Sequence, residues 1–455
     1  MAIADRFAEF VCETHFDSIA PAVVERAKDL CISAIGSTIL GARMEVPRIM
    51  ADHVRAQGAV TQASVLGHSF QTSVELAAML NCDSSHCTEL EDVAWPEAQY
   101  TCCLIPAMFT LGEWLNASGQ AVVEATIIGF EVAARPGMVL SNGGAAARGW
   151  LSCANVGTLG VAAGAAKMLG LDFGKTRDAI TLAASMGGGL VRQTGSAAHV
   201  VEAGFAARDG IMAALLAQRG LGGNPSIMDG KAGYFDALAG QADLPLSLGS
   251  GEDFRVMAVG QKKYPCCYML QRIIDRMKAL IAQHDIRADD VREVRVEVNA
   301  AFPTIMKYPV PADVEEARFS LPHVVAATLA GEPMDARTFS AEKLNDPKIL
   351  ELRPRVRMVV HVDWGNDQLG AEDWITIRLR DGREIKGTAI RAHGDAEDPL
   401  SREETLAKFA TCTDGLLSTD LQTGTAGALA QLERLPGVAL LMRSLAFGEA
   451  IAAIA

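Results

Sequence analysis

Residues 155–169 are the stretch that most constrains how this chain can fold. Nearly every side chain in it is small or apolar, and Gly157, Gly160 and Gly164 recur along it. A helix that is apolar on all sides has to be a central one, surrounded by other helices. Glycine lowers helix propensity by roughly 1 kcal/mol per residue, and we expect close approach of neighbouring helix backbones to compensate for this. The stretch therefore predicts the centre of a large helical unit.

Helical periodicity continues on both sides of this stretch. Pro21 is typical of a helix start, and apolar residues recur at three-and-four spacing from there until Gly41. A second predicted helix runs from Ala121 to Ala134, and Pro136 is expected to stop it. Further helices are predicted at 104–115, 173–186 and 203–219. The chain has 455 residues, about three times a typical domain length of ~150, so we expect more than one domain.

The pattern changes after residues 262–267. Residues 291–299 alternate apolar and charged side chains, which predicts a half-buried strand. Asp381-Gly382 predicts a hairpin turn, because glycine tolerates a positive φ. Other expected elements are strands at 357–363, 375–379 and 383–390, helices at 268–282, 321–330 and 341–352, and a helical tail that begins with a capping box at 401–404. Along the chain, a helical part is followed by an α+β part and then by helices again. The C-terminal helices either extend the α+β domain or return to the first, helical domain.

Charge and composition argue against several classes of function. Lys and Arg number 41 against 55 Asp and Glu, so the net charge is −14, which disfavours nucleic acid or an anionic membrane surface as a partner. The sequence predicts neither a secretory signal nor a membrane span. The ten cysteines lack a CxxC spacing and are typical of buried thiols in the cytoplasm. No nucleotide-binding glycine motif occurs, and Gly187–Gly189 is interpreted as a flexible joint or a close-packing point.

One histidine and three carboxylates fall within residues 86–92. They are His86, Glu89, Glu91 and Asp92. Paired carboxylates can raise one another's proton affinity and so supply an acid or a base. The alternative interpretation is a solvated acidic helix end. Metal binding is only weakly supported, because no second histidine stands at a ligand spacing, and no metal is predicted.

A second candidate site is the segment 262–267, which reads Lys-Lys-Tyr-Pro-Cys-Cys. It lies where the composition changes, and domain junctions are preferred ligand sites. Lys262 could fix a carboxylate or an oxyanion there, with Tyr264 beside it. The alternative is an ordinary surface lysine next to a linker.

The remaining candidates are single residues. His199 is expected just before the helix at 203–219, and His323 follows Phe319-Ser320-Leu321-Pro322. A lone histidine is more often a structural group than a catalyst. Cys153 is an equally weak candidate, because a thiol is reactive only in a cationic setting.

Together, these motifs resemble those of the MmgE/PrpD family, whose members include 2-methylcitrate dehydratase, cis-aconitate decarboxylase and iminodisuccinate epimerase. The resemblance covers nearly the whole chain, and its motifs occur in the family's order. They are Asn81 to Asp92, Pro106-Ala107, Gly129-Phe130-Glu131, Gly149-Trp150 with Gly157, Gly204 to Gly210, Lys262 to Cys267, and Phe319 to Pro322.

The resemblance implies a fold that is mainly α with an α+β insertion. An all-helical domain would comprise residues 1–265 and 400–455, and a smaller α+β domain residues 266–399, with the active site in the cleft between them. It further implies a homodimer, no organic cofactor, no metal, and a small carboxylic acid as substrate. The implied chemistry is proton transfer next to a carboxylate of a small di- or tricarboxylic acid.

The resemblance also implies site residues. Lys262 matches the family's active-site lysine, Asp92 with Glu91 its acidic cluster, and His86 the histidine of that segment. The family's next histidine is replaced by Gln99, with Tyr100 beside it, and the histidine after Gly149-Trp150 is replaced by Leu151.

Two further positions depart from the family pattern. His199 stands where decarboxylases have a second lysine, and His323 where many members have a tyrosine. His199 and His323 are therefore predicted to transfer protons in place of the missing histidines, with Tyr100 or Cys153 contributing.

Three functions remain open from the sequence. The first is a lyase of the dehydratase or decarboxylase type, the second is an epimerase or isomerase of a small dicarboxylate, and the third is a non-catalytic protein that keeps the ligand cleft. Cations such as Arg148 or Arg192 near Lys262 would favour a polycarboxylate, whereas an apolar lining around Leu151 would favour a less charged substrate.

Overall fold

The computed structural model describes residues 1–95, 99–142, 144–241 and 247–448. Its helices, in chain order, are α1 Ile3–Glu13, α2 Pro21–Gly41, α3 Glu45–Gln57, α4 Val74–His86, α5 Tyr100–Leu115, α6 Gly119–Asn142, α7 Ser152–Met168, α8 Phe173–Ala183, α9 Ala197–Gln218, α10 Tyr234–Ala239, α11 Tyr268–His284, α12 Phe302–Ile305, α13 Val314–Ala317, α14 Leu321–Ala330, α15 Ala341–Leu344, α16 Pro347–Leu352, α17 Arg402–Thr413, α18 Thr419–Ala430 and α19 Ala439–Phe447. The strands are β1 Ala63–Val65, β2 Phe70–Thr72, β3 Val93–Ala94, β4 Val259–Gly260, β5 Val291–Asn299, β6 Val356–His361, β7 Asp373–Leu379 and β8 Glu384–Ala389. The protein is therefore mainly helical with a smaller α+β portion.

The chain divides into two compact units. The first comprises Met1–Gln193, Ala198–Gln261 and Ser401–Ala455, and the second comprises Thr194–Ala197 and Lys262–Leu400. The helical tail thus belongs to the first unit. There α17 packs against α2, and the tail begins with the expected capping box, in which Ser401 accepts a bond from the backbone N–H of Glu404.

Helix α7 lies in the core of the first unit, as its composition predicts. It packs against α5, α6 and α8, and almost all of its residues are buried. A Cβ atom on Gly160 would lie 2.5 Å from the carbonyl oxygen of Gly129 on α6. One on Gly164 would lie 2.9 Å from the carbonyl oxygen of Ala125. The expected close approach of helix backbones is confirmed.

The end of helix α6 was predicted wrongly from the position of a proline. The helix was expected to stop at Pro136 but continues to Asn142. Proline removes one backbone hydrogen bond and costs about 3 kcal/mol inside a helix. Val139 and Leu140, beyond the proline, are buried, and burying each such side chain contributes about 1.5–3 kcal/mol. Their burial therefore offsets the cost of the proline.

The second unit contains a four-stranded sheet in the order β6-β5-β7-β8. Strands β5 and β6 are parallel, whereas β7 pairs antiparallel with both β5 and β8. The predicted hairpin between β7 and β8 is confirmed, and Gly382 has a φ of +92° there. Helix α11 packs against β8 and α14 against β6. The helix expected at 341–352 is divided into α15 and α16, because Pro347 starts the second of them.

All ten cysteines lie in the described part of the chain as thiols, and nine of them are buried. This agrees with the interpretation from sequence. In the part of the chain that the structure describes, none of the helices combines the length and the apolar character that crossing a membrane requires.

The contact between α6 and α7 gives a direct test of this packing. We expect Gly160→Ala to lower the free energy of unfolding by about 1–3 kcal/mol, because the new methyl group must push the two backbones apart. In the matched control Gly427→Ala, the methyl group on α18 would meet nothing within 4 Å, and we expect stabilisation of up to about 1 kcal/mol. Urea unfolding of the three proteins measures both effects, and an unchanged Gly160→Ala midpoint would contradict the packing described.

Candidate active site

The acidic segment follows α4 directly. The helix ends at His86, and Glu89 takes a left-handed conformation with a φ of +54°. Glu89, Glu91 and Asp92 are only 2%, 2% and 1% exposed. The interpretation of these residues as a solvated helix end is therefore wrong. Buried carboxylates are costly unless they are paired or hydrogen-bonded, so their partners define the site.

His199 meets His86 in the interior of the first unit. His199 was expected before its helix, but α9 begins at Ala197 and so contains it. The centroids of the His86 and His199 rings lie 4.8 Å apart, with an interplanar angle of 64°. His86 is 0% and His199 4% exposed. Two imidazoles that are far apart in the sequence thus form a buried pair.

Both rings are oriented through their Nδ1 atoms. His86 Nδ1 lies 3.3 Å from the carbonyl oxygen of Val200, and His199 Nδ1 lies 3.3 Å from Glu202 Oε2. A carbonyl oxygen can only accept, so Nδ1 of His86 carries the hydrogen and donates it. The carboxylate of Glu202 sets the same orientation for His199.

The approach of α9 to α4 depends on Gly204. A Cβ atom at this position would lie 2.1 Å from Asp83 Oδ1 and 2.5 Å from the carbonyl oxygen of Met79. The backbone N–H of Gly204 instead donates to Asp83 Oδ1 at 3.1 Å. Burial raises the pKa of the Asp83 carboxyl well above its usual value. This contact joins the two helices that carry His86 and His199.

Glu202 is itself held by the preceding loop. The backbone N–H of Leu190 donates to Glu202 Oε1 at 3.1 Å. Gly189 has a φ of +116°, and a Cβ atom there would lie 2.5 Å from Ala154 Cβ. Of the two interpretations of Gly187–Gly189, this contact supports the close-packing point. Glu202 is therefore fixed on both of its oxygens.

Several charges act on His199. Burial disfavours the charged ring, but the hydrogen bond to Glu202 and the negative charges of Glu89, Glu202 and Glu91 outweigh it. Together they raise the pKa of His199 above the ordinary value for histidine. The imidazole is thus arranged to hold a proton that it can donate.

Cysteine thiols border the imidazole pair. Sγ of Cys153 lies 3.9 Å from Sγ of Cys102, and the two sulfur atoms lie 3.3 and 3.0 Å from the carbonyl oxygen of Gln99. The hydrogen bond from Cys102, with the positive potential of His86 and His199, lowers the pKa of Cys153. Burial raises the pKa of Cys102. Gln99 thus contacts the site through its backbone, at the start of α5.

A pocket of about 300 Å³ opens beside Glu202. Its wall also includes Phe205, Arg208 and Asp209. Arg208 Nε donates to Asp209 Oδ1 at 2.7 Å. The pocket wall therefore carries two carboxylates and one guanidinium.

Asp92 has a buried cation of its own. Lys408 Nζ lies 3.1 Å from Asp92 Oδ1, and Ser33 Oγ lies 3.0 Å from the same oxygen. The Lys408 side chain is 8% and that of Asp92 1% exposed. This pair ties the acidic segment to α2 and α17. The catalytic role predicted for Asp92 stays a prediction.

Lys262 begins the second unit. Its side chain is fully buried, so the alternative of an ordinary surface lysine is wrong. The Tyr264 hydroxyl donates to Asp275 Oδ1 at 2.7 Å, and burial together with Asp275 raises the pKa of Tyr264. The backbone N–H of Tyr264 donates to Gln271 Oε1 on α11 at 3.0 Å. The segment after Lys262 is thereby fixed to α11.

His323 also lies in the second unit, in the first turn of α14. Ser320 caps this helix, and Arg353 Nη2 donates to His323 Nδ1 at 3.0 Å. Burial and the positive charge of Arg353 lower the pKa of His323 to about 4. The ring is neutral at pH 7, and the predicted catalytic role of His323 stays a prediction.

The other predicted residues have separate surroundings. The hydroxyl of Tyr100 points at Gly137 on α6, where a Cβ atom would lie 1.9 Å from it. The backbone N–H of Leu151 donates to Gly189 O at 3.2 Å. Arg148 is exposed and donates to the carbonyl oxygen of Ala237 at 3.4 Å. Arg192 is exposed as well. The hydrogen bond of Arg148 is thus made with α10 and not with His86 or His199.

Sequence reasoning missed Glu202, Asp83 and Lys408. Glu202 stands three residues after His199, a spacing that brings two side chains together on one face of a helix, so this partner could have been found. Lys408 carries no motif that would single it out. Asp83 and Gly204 become partners only through the fold.

A second histidine stands beside His86 in the fold, although none stands at a ligand spacing in the sequence. His86, Glu89 and His199 each offer one ligand atom, and these three atoms lie within 4.8 Å of one another. Helix α9 supplies this second histidine from a distant part of the sequence.

The fold and the site define a class of protein. It is a mainly helical protein with a smaller α+β portion and a buried pair of imidazoles flanked by carboxylates. Such a pair suits acid–base chemistry, because histidine exchanges protons near neutral pH.

Comparison with known proteins gives the family. The model of the MmgE/PrpD N-terminal domain matches residues 5–247, and that of the MmgE/PrpD C-terminal domain matches residues 264–433. The chain belongs to the MmgE/PrpD family, which confirms the resemblance found in its motifs.

Similar curated proteins are cis-aconitate decarboxylases. The chain is 25% identical to the enzyme of Mus musculus over 98% of its own length and 93% of the relative's. It is 25% identical to the Homo sapiens enzyme over 92% and 89%, and 24% identical to one from Aspergillus terreus over 87% and 86%. The similarity therefore extends over almost whole chains at modest identity.

The Asp92–Lys408 pair predicts a large effect on stability. Lys408→Met leaves Asp92 buried without its cation, and we expect the free energy of unfolding to fall by about 3–5 kcal/mol. Lys231 is exposed, so the control Lys231→Met should change it by less than about 0.5 kcal/mol. Urea unfolding distinguishes the two. Equal midpoints for both variants would show that the pair does not stabilise the segment.

The pKa of His199 is raised and that of His323 is lowered, so the two rings should lose their protons at different pH values. In an NMR titration of the imidazole protons, His199 should lose its proton above pH 6.5, whereas His323 should stay neutral down to about pH 4. The contribution of His199 to stability is then present below the unfolded pKa of about 6.5 and is lost as the pH rises through the folded value. The contribution of His323 to stability is present above about pH 6.5 and is lost as the pH falls towards 4.

The variant Glu202→Gln tests whether the Glu202 carboxylate raises the pKa of His199. Removing the carboxylate charge should lower the pKa of His199 and leave that of His323 unchanged, because His323 is paired with Arg353. If the pKa of His199 did not move, Glu202 would not be its electrostatic partner.

Proposed function

We propose that this protein is a lyase of the dehydratase or decarboxylase type that acts on a small di- or tricarboxylic acid. The reaction proceeds by proton transfer at a carbon next to a carboxylate. The observation that carries the proposal is the buried pair of His86 and His199, with each ring oriented through Nδ1. The family, and relatives named cis-aconitate decarboxylase, support the reaction class.

In this proposal, His86 and His199 provide the proton transfers that two missing family histidines would otherwise provide. Gln99 and Leu151 stand where the resemblance implies histidines. Leucine cannot exchange a proton, and an amide is a very weak base. His199 is the proposed proton donor, because the surrounding carboxylates favour its charged form. His86 is the proposed proton acceptor.

The chemical steps follow from these roles. In a dehydration, His86 takes a proton from the carbon next to the carboxylate, and His199 gives one to the departing hydroxyl, which leaves as water. In a decarboxylation, carbon dioxide departs with the carbon–carbon bond cleaved, and His199 protonates the carbanion that remains. Lys262 is proposed as the cation that stabilises the developing negative charge.

The location and assembly belong to the same proposal. A cytoplasmic homodimer is the expectation that the family resemblance gives. The ten cysteines, each present as a thiol, support a reducing compartment.

A proton-exchange screen tests the function before the substrate is known. The protein is incubated in D2O with hydroxy acids, unsaturated acids and amino-dicarboxylates, and NMR follows deuterium uptake. We expect uptake next to a carboxylate in at least one compound, and a fall of about 10²–10⁴-fold in His199→Gln, the range typical for loss of a general acid or base.

The matched control is His284→Gln. His284 is exposed at the end of α11, and its replacement should leave the exchange rate unchanged. Retention of full exchange in His199→Gln would remove His199 from the mechanism. No uptake from any compound in the panel would favour a non-catalytic binding protein.

The same screen separates a lyase from an isomerase. Two adjacent imidazoles also suit an epimerase or isomerase of a small dicarboxylate, in which one ring removes a proton and the other returns one. A lyase releases water or carbon dioxide during exchange, whereas an isomerase retains every heavy atom of the substrate.

A further inference from the structure

Three buried side chains converge from two segments of the first unit. His86 ends α4, Glu89 follows it in a left-handed turn, and His199 comes from the first turn of α9. One ligand atom from each lies within 4.8 Å of the other two. Ligands about 2.0–2.1 Å from a tetrahedral ion are about 3.4 Å apart. The three atoms must therefore approach one another by up to about 1.4 Å when an ion binds.

The ligand types select a class of ion. Two imidazole nitrogens and one carboxylate oxygen suit a borderline divalent transition ion, whereas calcium and magnesium prefer oxygen ligands alone. Two histidines and one glutamate form the protein ligands in one type of three-ligand zinc site, which leaves a further position for a water or a substrate.

The outer contacts match those of metal-binding histidines. Such a histidine usually donates its second ring N–H to a carboxylate or a backbone carbonyl. His86 does so to Val200 O, and His199 does so to Glu202 Oε2. In its neutral form, a ring that donates from Nδ1 has its lone pair on Nε2, the tautomer that a metal ion at Nε2 requires. Binding to the charged form of His199 therefore releases a proton.

Negative charge near His199 also favours a cation. Glu89, Glu91 and Glu202 all act on His199 through their negative charge. Glu202, the partner of His199, also lines the pocket of about 300 Å³, whose wall carries two carboxylates and one guanidinium.

We propose that His86, Glu89 and His199 bind one divalent transition-metal ion of the Zn²⁺ class, with Glu202 as a positioning residue. The site goes beyond the proposed function, because the lyase mechanism uses the same imidazoles without a metal. A ring nitrogen bound to a metal ion cannot exchange a proton with a substrate. Metal occupancy and proton transfer therefore exclude one another, and the ion acts as a reversible inhibitor.

The experiment measures binding directly. The full-length protein is treated with a chelator, dialysed and titrated with Zn²⁺ in a calorimeter, and Co²⁺ is added in a parallel sample to record visible absorption. We expect one ion per chain and Co²⁺ bands in the visible region. In Glu89→Gln the affinity should fall at least 100-fold. In Glu202→Gln, which keeps all three ligands, it should fall about 10–100-fold.

The control variant is Glu342→Gln, which changes an exposed glutamate on α15. Its affinity should match that of the unmodified protein, and circular dichroism should show that each variant keeps its helices. Should Glu89→Gln fail to fold, Glu202→Gln alone carries the test. Absence of stoichiometric binding, or equal affinities in the unmodified and Glu202→Gln proteins, would overturn the proposal.

The metal site and the lyase can fail separately. Binding is measured without substrate, so it does not depend on finding the reaction. The screen in D2O is run on chelator-treated protein, so it does not depend on the metal. Where exchange is found, one equivalent of Zn²⁺ should suppress it and excess chelator should restore it. Unchanged exchange at full occupancy would contradict the mutual exclusion.

Discussion

The contact between Gly204 and Asp83 is the constraint on which the site depends. At this point the backbone of α9 approaches α4 so closely that a Cβ atom would lie 2.1 Å from Asp83 Oδ1. The same approach brings the first turn of α9 against the last turn of α4. His199 and His86 occupy those turns, and Gly204 stands five residues after His199 on α9.

Buried charge around the imidazoles is balanced by specific partners. Asp92 is paired with Lys408 and hydrogen-bonded to Ser33, which fixes the acidic segment after α4. Glu202 accepts from Leu190 and His199. Each unpaired buried carboxylate would cost several kcal/mol. The partners of these carboxylates therefore stabilise the packing of the helices that carry them.

Local signals predicted much of the fold. Pro21 and Gly41 bound α2, Ser401 caps α17, and the alternation of Val294, Val296 and Val298 sets the strand β5, because these patterns act within a few residues. Pro136 was misread because packing on both sides of it outweighs one lost hydrogen bond. Tertiary burial can reverse a local preference in this way, and no single-segment pattern contains that information.

The candidate site was predictable only in part. His86 and Glu91 were identified from their acidic surroundings, and His199 from its position in a family motif. Their proximity was not predictable, because Val200, the partner of His86, lies 114 residues away in the chain. Lys408, the cation of Asp92, lies 316 residues from it. Sequence spacing says little about contacts over such separations, which depend on how helices pack.

The central claim is that the pair of His86 and His199 is where a small carboxylic acid reacts. A crystal structure of the chelator-treated protein saturated with a dicarboxylate such as succinate measures this most directly. The account predicts ligand density with a carbon or oxygen atom about 3–3.5 Å from an imidazole nitrogen of the pair. Density for the ligand elsewhere, with both rings contacting protein atoms alone, would contradict it.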